Sequence, residues 1–178
     1  MKHFMVTTAV AAALLGFSTA SLSQCLASGN GGTCNQTGSV SITAGRVILL
    51  QMTANSTALT PPTSADFDAG LNATTGPTLT VSSNSAWRLY IRASTAVWTA
   101  TNTSPGAPAR VNKPAADLKW SKVSGGPFAA LTTADVALAN ANATASNITT
   151  LYFQTLYNWT LDTPGNYSLA VVLTLTSP

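Results

Sequence analysis

A two-sheet, all-β sandwich is the fold this sequence predicts, with a β-barrel as the alternative. Three observations predict it. Charged residues make up only 7% of the 178 positions, where ordinary soluble domains carry about 25%, so solubility must come from Thr, Ser and Asn. Glutamate is absent, and long helices usually advertise Glu and Lys, whereas Thr and Val suit a half-buried pleated surface. Apolar residues recur at every second position between Gly, Pro, Asn and Asp punctuation, which is the pattern of strands and turns. Hydrophobic residues supply 46% of the chain, enough for one domain that buries roughly 70% of the surface its unfolded chain exposes.

The chain opens with MKHFMVTTAVAAALLGFSTASLSQ. Lys2 and His3 give a short basic start, residues 4–17 an apolar stretch, and residues 18–23 a small-residue cleavage region. This predicts a secretory signal peptide over residues 1–23, cut after Ala20 or Ser23. It is too short and wrongly flanked for a transmembrane span, and no later apolar run reaches the roughly 20 residues a span needs. Cys25 behind Leu22-Ser23-Gln24 also permits a lipoprotein reading, which Gln24 disfavours because lipid-transfer sites take Gly, Ala or Ser there. The expected mature chain is a single domain over residues 24–178, secreted to the periplasm or the cell surface. Cys25 and Cys34 bracket a Gly-Asn-Gly-Gly turn, and an even pair this close in a secreted chain reads as a disulfide. Closing so small a ring stabilises by roughly 2–3 kcal/mol.

Along the domain, SVSITAGRVILLQMTA puts Val40 and Ile42 on one strand face, breaks at Ala44-Gly45 as a bulge or bend, and continues as a more buried segment. Residues 55–76 are rich in turn formers and Pro61-Pro62 excludes a central strand, so a long connection is expected, with at most a short edge strand at Phe67. In PTLTVSSNSAWRLYIRAS, Leu79, Val81, Trp87, Leu89 and Ile91 share one parity. The polar step at residues 83–85 is either a hairpin turn or a crossing between sheets. Residues 101–116 are loop by composition. DLKWSKVSGGPFAAL reads as a strand through Leu118 and Trp120, a Gly125-Gly126 turn and a short strand. ADVALANANATASNITT favours a strand, a loop and a return, although its alanines permit helix. The two strongest alternations follow: Leu151, Phe153, Tyr157, Trp159 and Leu161, then Tyr167, Leu169, Val171, Leu173 and Leu175. Asp162-Thr163-Pro164-Gly165-Asn166 joins them as a hairpin-like corner. About seven to nine strands result, as a sandwich requires.

Gly165-Asn166-Tyr167 followed by an alternating strand resembles the ending of secreted bacterial immunoglobulin-like subunits, the fimbrial and spore-coat-U-type proteins of chaperone–usher systems. Residues 156–178 are also similar in style to bacterial surface domains of the WxL type. The resemblance implies an immunoglobulin-like extracytoplasmic sandwich that pairs edge to edge with like subunits or an extracytoplasmic chaperone. Tyr167, Leu169, Val171, Leu173 and Leu175 then form the assembly strand. The plainer expectation is that this strand pairs with residues 150–161 inside a complete sandwich. The sharper one is that it borders a groove filled by another subunit's strand, the β-augmentation mode.

Little reactive chemistry is available. Acid–base catalysis needs a group whose pKa can approach neutrality, most often His or Glu. The only histidine is His3, inside the signal, so the mature chain has neither, and Ser-His-Asp or Cys-His arrangements and His-ligated zinc are excluded. The five acidic residues are all aspartates. Asp66 and Asp68 on an extended segment would sit about 7 Å apart, as two solvated loop carboxylates or as part of a Ca²⁺ site. Asp117 and Asp162 suit turn caps. No enzyme activity, cofactor or metal centre is expected. Removing the signal takes Lys2 with it and leaves seven basic against five acidic side chains, a net charge of +2. Arg88, Arg92, Arg110, Lys113, Lys119 and Lys122 do not cluster as a nucleic-acid stripe would. Trp87 and Trp159 fall on core parity. Trp98 and Trp120 flank loops, so if exposed they offer a stacking platform for a glycan. A secreted structural or adhesive surface protein is the expected function, with carbohydrate binding through Trp98 and Trp120 as the alternative.

Overall fold

Nearly all regular structure is antiparallel β-sheet in the computed structural model, which describes residues 33–35, 38–102 and 108–178. Residues 1–23, expected as a signal peptide, and Cys25 lie outside the described residues. The chain divides into two units, Met1–Thr43 and Ala44–Pro178. Within the first, residues 33–35 and 38–43 are exposed and carry neither helix nor strand. Val40 and Ile42, expected on a strand face, are 100% and 93% exposed.

Among its described residues the second unit holds ten strands: β1 (Ile48–Met52), β2 (Leu71–Ser83), β3 (Trp87–Ala93), β4 (Thr99–Asn102), β5 (Leu118–Ser121), β6 (Ala129–Ala130), β7 (Val136–Ala141), β8 (Thr144–Leu156), β9 (Gly165–Ser168) and β10 (Val171–Thr176). They form a five-stranded sheet ordered β1-β2-β8-β5-β6, a three-stranded sheet ordered β10-β3-β7, and the β4-β9 pair. Leu79 and Val81 of β2 and Leu151 and Phe153 of β8 bury into one cluster with Trp87, Leu89 and Ile91 of β3 and Leu138 of β7. The two larger sheets therefore share a core, as the alternation predicts. On β3 the odd positions from Trp87 to Ala93 are all buried.

The polar step at residues 83–85 is a crossing, because β2 and β3 belong to different sheets. Residues 134–150 do give a strand, a loop and a return, but β7 pairs with β3 and β8 with β2 and β5. The β2–β8 register shifts between Thr75 and Thr78. Pro77 has no N–H to donate, so it is accommodated where the ladder is broken, and a Cβ on Gly76 would lie 2.6 Å from the Phe153 ring, so the close approach there requires glycine.

Several elements differ from expectation, among them the terminal alternation from Tyr167 to Leu175, which is divided at residues 169–170 into β9 and β10. Around Phe67 there is no edge strand but a helix, α1 (Ser64–Ala69), closed by a Thr63/Asp66 capping box and by Gly70 at φ 73°. A capping box satisfies two otherwise orphaned backbone donors, and glycine takes the left-handed C-terminal position without steric cost. The alternation through Leu161 also fails, since β8 ends at Leu156. Beyond it Asp162 Oδ2 accepts the Asn158 N–H at 2.8 Å, and the Asp162 N–H returns to the Asn158 carbonyl at 2.9 Å. This closed turn outcompetes the strand locally.

Candidate functional site

The terminal strand does not pair with residues 150–161. β10 lies antiparallel to β3, from Val171 opposite Ala93 to Thr176 opposite Arg88, and β9 pairs with β4. No strand among the described residues pairs with the outer side of β10 or of β1. Both are sheet edges, and an unpaired edge is a template for another strand.

Between these edges the core is incompletely covered. Val171, Leu173 and Leu175 pack against the buried cluster, as their parity predicts, but stay only half-buried. A cleft of about 500 Å³ runs inward here, past Met52, Leu59, Leu169 and Val171 to the core residues Leu151 and Phe153. A second space of about 260 Å³, lined by Leu50, Met52, Asn55, Val171 and Leu173, adjoins it. Four exposed or half-exposed hydrophobics, Val47, Ile48, Leu49 and Met52, mark the β1 side.

Tyr167 is a corner residue. Its hydroxyl donates to the Thr163 carbonyl at 2.6 Å and accepts the Arg110 N–H at 3.0 Å. Next to it the fold collects charges that are distant in sequence. Lys113, 1% exposed, donates to Asp162 Oδ1 at 2.9 Å, Asp117 Oδ2 at 3.1 Å and the Leu156 carbonyl at 2.7 Å. Arg110 reaches the same two carboxylates at 3.0 and 3.3 Å. Asp162 does close a turn, as expected, but the four-membered ion cluster was invisible in the sequence, because 49 residues separate Lys113 from Asp162. Its one local signal is the Lys113/Asp117 spacing of four.

Asp66 and Asp68 do not act as a pair. Helix α1 gives Asp66 to its own cap and leaves Asp68 to accept the Trp159 indole N–H at 2.9 Å. No group of three metal-ligating side chains occurs among the described residues.

The tryptophans exchange roles. Trp98 and Trp120, expected as ligand aromatics, are buried at 4% and 7% exposure, and the Trp98 indole donates to the Pro114 carbonyl. They cannot serve as an exposed platform. Trp159, expected in the core, is 59% exposed because β8 has already ended. Cys34 is described, but its expected partner Cys25 and hence their bridge lie outside the described residues.

Among the described residues, Asp66 and Tyr157 are shifted from their ordinary values. The Thr63 backbone N–H and hydroxyl hold Asp66 below the usual carboxylate range. That stabilisation is present above the unfolded-state pKa near 3.9 and disappears as pH falls through the lower folded value. Burial pushes the Tyr157 phenol upward, with the Asp162 and Asp66 charges adding and a Thr155 hydrogen bond opposing. A raised phenol contributes fully below about pH 10 and loses that contribution as pH climbs toward the folded value. In an ultraviolet titration, Tyr157→Phe is expected to delete a late-ionising component. An unchanged curve would contradict the burial.

No protein-family model matches the chain, and no curated protein matches it. No helix among the described residues is long and apolar enough to cross a membrane.

Proposed function

We propose that the protein is an exported structural or adhesive subunit of the cell surface, an immunoglobulin-like sandwich completed by a strand from a second copy. The observation that carries this is the margin between β1 and β10. Inward-pointing Val171, Leu173 and Leu175 are only partly buried there, although the matching β3 positions are fully buried. A strand laid along β10 would pair its free backbone groups and cover those side chains, as β-augmentation does.

The chain contains a segment of suitable character. Ser39-Val40-Ser41-Ile42-Thr43 alternates apolar and hydroxyl residues, and both hydrophobics are almost wholly exposed. Burying a Val or Ile side chain stabilises by roughly 1.5–3 kcal/mol, so two such residues supply a useful part of a subunit contact. The Tyr167 corner, with its hydroxyl bonded back to the Thr163 carbonyl, also occurs in immunoglobulin-type domains. Export through the signal at residues 1–23 and a Cys25–Cys34 bridge belong to the same proposal, as does the lack of catalysis.

The test is size-exclusion chromatography and electron microscopy of the mature protein. Concentration-dependent oligomers or fibres are expected, and Val40→Asp with Ile42→Asp should return the protein to monomer without lowering its melting temperature. A strict monomer at high concentration would reject assembly. Oligomers that survive both substitutions would reject this segment as the added strand.

A further inference from the structure

A further concavity shares Leu59, Trp98 and Tyr167 with the cleft at the β1/β10 margin and extends beside the turn that ends β8. It encloses about 660 Å³, within the range of roughly 300–1,000 Å³ typical of small-molecule sites. Its lining includes Phe67, Tyr157 and Trp159 together with Thr60, Asp162 and Asn166.

The Trp159 indole is both exposed and held. Phe67 stacks on it with centroids 4.6 Å apart and planes at 28°, and Phe67 is itself tilted against Tyr157 at 5.3 Å. The indole N–H is occupied by Asp68 Oδ1 at 2.9 Å. An aromatic ring anchored by a neighbouring ring and a carboxylate has already lost its rotamer freedom, so a ligand stacking on it does not have to order it. With its donor engaged, the indole offers a flat carbon surface and not a hydrogen bond.

The charge at the cavity floor is already compensated. All three Lys113 ammonium donors have acceptors in Asp162, Asp117 and the Leu156 carbonyl. Asp162 Oδ1 also receives Arg110, while Oδ2 receives the Asn158 N–H. An anionic or cationic ligand could engage these groups only by breaking the buried cluster, which is costly. A neutral ligand has no such conflict. Thr60 and Asn166 add polar residues to a lining that includes Phe67, Tyr157 and Trp159, and the Thr60 hydroxyl, which accepts from Thr74, keeps its own proton to donate.

We propose that this cavity binds a neutral polysaccharide, with the apolar face of one pyranose ring stacked on Trp159 and its hydroxyls turned toward Thr60 and Asn166. Asp68 and Phe67 are positioning residues that hold the indole. The site does not depend on strand addition and uses neither Trp98 nor Trp120 as a platform.

The experiment titrates the full mature protein with cellohexaose, mannohexaose, xylohexaose and chitohexaose, with polygalacturonate as the anionic control. Tryptophan emission and calorimetry are the readouts. At least one neutral hexasaccharide is expected to bind and shift the emission. Trp159→Ala should weaken it about tenfold or more, in keeping with the loss of one stacked ring, and Trp159→Phe should retain part of the affinity. Asp68→Ala, which leaves the indole in place but unanchored, should weaken binding by a smaller factor. Because Trp159 is exposed, an unchanged melting temperature will show that its variants are folded. Binding by none of the four, equal binding by wild type and Trp159→Ala, or preference for polygalacturonate would overturn the proposal and leave Trp159 as a cover for Phe67.

Discussion

Replacing Lys113 with alanine is expected to lower folding stability by about 3–5 kcal/mol, the range for removing one partner of a buried ion pair. The cost comes less from the lost attraction than from what remains. Asp162 has only 5% of its side chain exposed and Asp117 18%, so their carboxylates would keep Arg110 alone as countercharge. The Leu156 carbonyl would lose the donor that now meets it at 2.7 Å, where β8 ends. Urea denaturation measures the effect, with the midpoint falling and the slope unchanged if only stability is altered. The double variant Lys113→Ala/Asp162→Ala should lose less than the sum of its two single losses, because the second removal takes away a charge already stranded. A loss below about 1 kcal/mol for Lys113→Ala would mean that the cluster is solvated and behaves as a surface pair.

Trp87→Ala should be comparably damaging, about 3–5 kcal/mol, since it empties the largest fully buried side chain from the core at the start of β3. Trp87→Phe is the more informative change. The indole Nε1 is buried without a hydrogen-bond partner, and a buried donor left unsatisfied costs about 1–3 kcal/mol. Phenylalanine keeps most of the ring packing and removes that donor, so its loss should be less than half that of alanine. Both values come from the same denaturation series. Equal losses for Phe and Ala would show that the indole nitrogen has a partner in solution.

Period-two reasoning located the core well where strands stay inside one sheet. Leu79, Val81, Leu89, Ile91, Leu151 and Phe153 are all buried on the expected parity. It failed where a local polar interaction overrides alternation, as at Asn158 and Asp162, and so misplaced Trp159. The Thr63/Asp66 capping box was readable as a Thr-x-x-Asp spacing, but the surrounding prolines and the short element obscured it. Pairing partners were harder still. Alternation says which face of β10 turns inward, yet it carries no information on whether the neighbour is β8 or β3. The Lys113 cluster and the Phe67–Trp159 stack join residues 49 and 92 positions apart, and no single-chain spacing rule reaches that far. Low charge was informative in a different way, since it made the few ionic groups easy to enumerate while hiding that four of them meet.

β3 has one further consequence. Its partners Val171–Thr176 follow it in sequence by 78 to 88 residues, from the Ala93–Val171 pair to the Arg88–Thr176 pair. Such a high contact order places closure of long loops before any reward from pairing, which slows folding relative to locally paired chains. Until β10 arrives, one whole side of β3 presents Leu89 and Ile91 beside unpaired backbone, an aggregation hazard during acquisition of the native state. A temporary occupant of that vacancy would act on the kinetics of maturation, independently of whatever the finished molecule later binds.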